Sequence, residues 1–109
     1  MKPMLHVLVV AMLIAAGGAE AQDLGDARLG GDYARAHCAE CHGVEAAGDD
    51  FSPNPDAPDF SVVANTPGMT ARAIVVWLQT SHPSMPDLII PPEARDNLVA
   101  YIMSLKRAP

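Results

Sequence analysis

Apolar positions recur at helical spacing in three stretches of the chain and alternate at strand spacing in none. From about Asp26 to Cys41, Leu29, Tyr33 and Ala36 or His37 fall three or four residues apart, which predicts a first helix. From about Thr70 to Ser81, Thr70 is a natural N-cap after Gly68, Ile74, Trp77 and Leu78 form the stripe, and His82-Pro83 ends the helix. A third runs from about Pro92 to Arg107, where Ala94, Leu98, Tyr101, Ile102 and Leu105 share one face. Glu93 and Asp96 in its first turn and Lys106 and Arg107 in its last suit the helix dipole. Its apolar face needs a partner, and Gly30 or Gly31 of the first helix would let the backbone approach under Tyr101. Between the first two helices, residues 43–68 are rich in Gly, Pro, Asp and Asn and lose all period, which predicts one long loop. So long a loop normally has a job, such as wrapping a bound group; Asp49 and Asp50 within it read as a solvated tip. The pattern is that of an all-α domain with no internal repeat.

Ahead of the helices, Lys2, the apolar run Val7 to Ala16 and the small-residue site Ala19-Glu20-Ala21 have the layout of a secretory signal. Residues 1–21 are expected to be removed and the protein exported to the periplasm. An uncleaved anchor stays open if Leu5 and the small residues to Ala19 are counted with the run. The remaining 88 residues, 22–109, make one small domain. Losing Lys2 and Glu20 leaves the formal charge at −6. An acidic surface of this kind argues against nucleic acid as a partner and could steer the protein toward a basic patch.

A domain this short builds a modest core, and exported ones are usually stapled by disulfides. Here there are only two cysteines, in Cys38-Ala39-Glu40-Cys41-His42. That spacing is the one used for c-type haem attachment. Thiols at i and i+3 share a face and can form thioethers to two vinyl groups on one edge of a haem, with His42 held beside the iron. A closed zinc site would want a second short-spaced ligand pair, which His37 and His82 do not make. A thioredoxin-like dithiol would want a βαβ unit. One haem c per chain, bound through Cys38 and Cys41, explains both the small core and the lack of disulfides.

One histidine leaves the other face of the iron to Met69, Met85, His82 or His37, and the choice separates electron transfer from catalysis. Met85 lies in His82-Pro83-Ser84-Met85-Pro86, a proline-fenced segment that cannot be helix interior, which favours it as a ligand. Met69 reads as a contact at a helix N-terminus, Met103 as a core residue, and His37 as adjacent to the attachment site. Trp77 reads first as core packing; a haem carboxylate is a second option for its indole N–H.

Gly30, Tyr33, Ala34 and Cys38 to Gly43, then Ser52-Pro53-Asn54, then Thr80 to Pro86, then Leu98 to Leu105 with Tyr101, resemble in order the class I c-type cytochromes, especially the small bacterial ones. The resemblance implies three main helices and long loops around one haem, Cys38 and Cys41 as anchors, and His42 and Met85 as iron ligands. It also implies that the Pro53 carbonyl accepts from Nδ1 of His42, with Pro55 a nearby rival, and that Gly30 and Tyr101 form the helix crossing. The function implied is an electron carrier rather than an enzyme, working between redox proteins and not inserted in a membrane once the signal is gone. A haem subunit of a dehydrogenase or oxidase complex, a haem peroxidase or gas-binding protein, and a thiol-disulfide oxidoreductase are the rival readings.

Overall fold

The computed structural model describes residues 25–80, 84–85 and 89–107. The expected signal at residues 1–21, and His82, Pro83 and Pro86, lie outside the described residues. Among the described residues four helices follow one another: α1 (Ala27–His37), α2 (Phe60–Ala64), α3 (Ala71–Gln79) and α4 (Pro92–Ser104). No strand runs through the described residues, which carry only isolated bridge positions: Ala47 paired with Asp50, and Met85. No helix there is long and apolar enough to cross a membrane.

α1 begins where Asp26 accepts the amides of Arg28 and Leu29, a side-chain cap on two otherwise orphaned donors. It stops at His37, before the two cysteines rather than at Cys41 as its period suggested. The amide of Ala39 reaches back five residues to the Ala34 carbonyl at 3.1 Å, which widens the ladder and ends it. The chain then winds once more, with the Cys38 carbonyl accepting from the amides of Cys41 and His42. Cys38 to His42 is therefore a single turn set on the end of α1.

α3 is capped by Thr70, whose hydroxyl accepts the Ala73 amide. α4 opens on Pro92, where a missing amide costs nothing. It ends at Ser104, so Lys106 and Arg107 lie past it: Lys106 Nζ donates to the Met69 carbonyl, and the Arg107 amide to Asn65 Oδ1. Asn65 also donates to the Leu105 and Ser61 carbonyls, fastening the end of α4 to α2. α2 lies inside the stretch expected to be a structureless loop. Five residues give too little period to stand out, and Val62 and Val63 are indifferent helix formers.

The core is small: Ala34, Val44, Phe60, Ala64, Ile74, Leu98, Val99, Tyr101 and Ile102 with Cys38 at its edge. α1 and α4 cross at its centre. A side chain on Gly30 would put its Cβ 1.9 Å from the Asn97 carbonyl oxygen and 2.8 Å from the Tyr101 Cβ, so only glycine permits this approach. Asn97 closes the crossing by accepting the Asp26 amide at 2.8 Å. At Gly31, one residue on, an added Cβ would meet the edge of the Tyr101 ring at 3.0–3.1 Å, a contact that could give slightly. Gly30→Ala should cost about 1–3 kcal/mol, seen as a Tm lower by roughly 5–20 °C, with Gly31→Ala milder; thermal melts of the two variants check the order.

Candidate functional site

Both cysteines are unpaired, Cys38 buried and Cys41 half-buried. Burial pushes the Cys38 thiol up to about 11. Thiol-disulfide exchange runs on low-pKa thiolates, and this site does the reverse, keeping the thiol protonated at neutral pH. Among the described residues no three or more His, Cys, Asp or Glu side chains gather as a metal cage.

His42, half-buried, places Nδ1 2.7 Å from the Pro58 carbonyl oxygen. A carbonyl can only accept, so Nδ1 is the donor, and in the neutral imidazole Nε2 is the nitrogen that keeps its lone pair. Phe60 lies 5.1 Å away, centroid to centroid, and tilts its ring by 46° against the imidazole. The expected acceptor was Pro53, with Pro55 its rival; the structure uses Pro58, and Pro53 is exposed. Asn54 is the reason. Its amide donates to the Cys41 carbonyl, while its side chain accepts the Asp56 amide and its carbonyl the Ala57 amide. This turn reverses the chain after Pro53 and returns Pro58 to the imidazole.

The segment after His42 is held from three sides. The Tyr101 hydroxyl donates to the Val44 carbonyl at 2.6 Å. Asp50, read from sequence as part of a solvated tip, accepts the amides of Val44 and Glu45 at 3.0 and 3.1 Å, so only Asp49 fits that reading. Arg35 donates to both oxygens of Glu45, at 2.6 and 3.2 Å, and lies 5.7 Å over the Tyr101 ring. Burial, then the Glu45 charge, raises the Tyr101 phenol, which stays a donor.

Two thiols three residues apart and an imidazole with Nε2 available are the donor set of a c-type haem. A family model described as Cytochrome c matches residues 27–106. The chain belongs to the cytochrome c family. Cytochrome c-552 of Bradyrhizobium diazoefficiens is 31% identical over 103 residues, which cover 94% of this chain and 97% of that protein. No solved structure matches. The cofactor is a covalently bound haem c, to which Cys38 and Cys41 are suitably spaced, and the chain is a haem protein of electron transport.

The remaining candidate residues of this cytochrome c divide clearly. Met69 and Met103 are half-buried against the core, as their spacing suggested. His37 is exposed on α1 and rests against Tyr33, with centroids 4.4 Å apart. Met85 is half-buried outside any helix. Trp77 is the second correction: it is 59% exposed, not core. α3 packs on α4 with Ile74 buried and Ala71, Val75 and Leu78 partly buried against the core, while Val76 and Trp77 stay exposed.

The Arg35 hydrogen bond holds the Glu45 carboxyl below its ordinary range. A lowered carboxyl stabilises the fold above that range and loses its effect as pH falls through the lowered value. Wild type should therefore melt a few degrees above Glu45→Gln at pH 7, with the gap closing below about pH 4; paired melts across pH 3–7 check it.

Proposed function

We propose that this cytochrome c is a periplasmic carrier of single electrons between redox proteins, with His42 and Met85 as the iron ligands. The Nδ1–H bond of His42 to Pro58 carries the reading, because it fixes the tautomer and presents Nε2 as a strong, oriented donor. When bound, the haem supplies a one-electron Fe(III)/Fe(II) couple. The chain's own residues do the rest. Cys38 and Cys41 tether one edge, the Pro58 carbonyl orients the imidazole, and Phe60 walls its ring. Met85, half-buried outside any helix, would supply a soft thioether as the second iron ligand. A His/Met pair raises the potential and leaves no position for substrate, which favours a carrier over a peroxidase or gas-binding protein. The exposure of Trp77 on α3 supports its assignment to a haem carboxylate.

Export is supported by the signal-like layout of residues 1–21 and by a bacterial relative of nearly equal length. The acidic surface suits brief encounters with basic patches on donor and acceptor. Met85→Ala should lose the sulfur-to-iron charge-transfer band of the ferric visible spectrum while Met69→Ala keeps it. A Met85→Ala protein that retains the band would overturn the ligand assignment.

A further inference from the structure

Asp59 breaks a local rule. It stands at the N-cap of α2, where an aspartate normally accepts a first-turn amide, yet its carboxylate makes no capping bond. Instead Oδ1 turns back to Ser52 and accepts both its amide, at 2.7 Å, and its hydroxyl, at 2.5 Å. The same hydroxyl accepts the Gly43 amide at 2.9 Å, and the Gly43 carbonyl accepts the Phe60 amide at 2.8 Å. Both polar groups of Gly43 are thus tied to the segment that carries Asp59. Gly43 follows His42 directly, and Asp59 follows Pro58 directly. Donor and acceptor of the imidazole hydrogen bond are mounted one residue from this closed ring.

The ring leaves no slack. A Cβ on Gly43 would lie 2.6 Å from Asp59 Oδ1 and 3.0 Å from the Ser52 amide nitrogen. Exceptions to local preference concentrate where a site demands them. The helix end loses a cap, and the gain falls on the peptide whose carbonyl meets His42.

Resting on the reading of His42 as an iron ligand, we propose that Ser52 and Asp59 are positioning residues that keep the Pro58 carbonyl on Nδ1 of His42 and so set the reduction potential. A well-held Nδ1–H bond makes the imidazole more basic, which favours Fe(III). Loosening it favours Fe(II).

The holoproteins Ser52→Ala, Asp59→Ala and Asp59→Asn test this, with Asn65→Ala as a control that loses bonds to Ser61, Leu105 and Arg107 away from the imidazole. Ser52→Ala and Asp59→Ala should shift the Fe(III)/Fe(II) equilibrium about tenfold toward Fe(II), a rise of about 59 mV, and speed solvent exchange of the His42 Nδ1 proton in NMR spectra. Asp59→Asn keeps an acceptor oxygen and should stay near wild type in both readouts. Asn65→Ala should lower Tm and leave the potential alone. If Ser52→Ala and Asp59→Ala lose Tm but match Asn65→Ala in potential and exchange, the pair only staples a loop and the proposal fails. If Asp59→Asn behaves as Asp59→Ala, charge and not placement acts, and the proposal also fails. Should Asp59→Ala not mature, Ser52→Ala, which removes one hydroxyl, decides alone. Ferric wild type without strongly hyperfine-shifted His42 ring resonances would overturn the ligand reading itself, and this proposal with it.

Discussion

The absence of a side chain at Gly30 is the constraint on which the rest of this structure depends. It lets α1 and α4 approach until the Asn97 carbonyl occupies the space of a Cβ. That approach puts Tyr101 against Gly31 and aims its hydroxyl at Val44, two residues beyond His42. The attachment turn is thereby fixed at both ends, by α1 on one side and by α4 through Tyr101 on the other. A small chain with few buried side chains uses one crossing to hold its chemistry in place.

From that frame the imidazole is oriented by loops, not helices. The Asn54 turn, the Ser52 hydroxyl and the Asp59 carboxylate are short polar side chains bonding to nearby backbone, the interaction that makes such residues good in turns and poor in helix interiors. They order a long, proline-rich segment that no hydrophobic face could organise. The Pro58 carbonyl is the product of that order, and it engages Nδ1 of His42, leaving Nε2 outside that bond.

What the amino-acid pattern revealed follows the same division. The three longer helices, a close approach of the first and last at Gly30 or Gly31, and the spacing of Cys38, Cys41 and His42 were legible, because side-chain type and period encode them, and the family resemblance narrowed the crossing to Gly30. α2 was not, since five residues with two β-branched valines carry little signal. Nor was the choice of Pro58 over Pro53 and Pro55: where a carbonyl points is a backbone property, decided by the Asn54 turn. The Asp59-Phe60 pair after Pro58, an N-cap residue before an apolar run, was the available hint. Asp50 looked like solvated charge because side-chain-to-amide bonds leave no periodic trace. Trp77 shows the limit of an amphipathic stripe, which marks a face without saying what covers it.

The central claim is a closed haem centre that exchanges one electron at a time and offers no site to substrate. Spectroelectrochemical titration of the purified holoprotein, repeated with the ferrous form under carbon monoxide, tests it most directly. The account predicts one reversible one-electron transition with sharp isosbestic points and no carbon monoxide adduct at neutral pH. Rapid formation of that adduct, or a transition that departs from one electron, would contradict it.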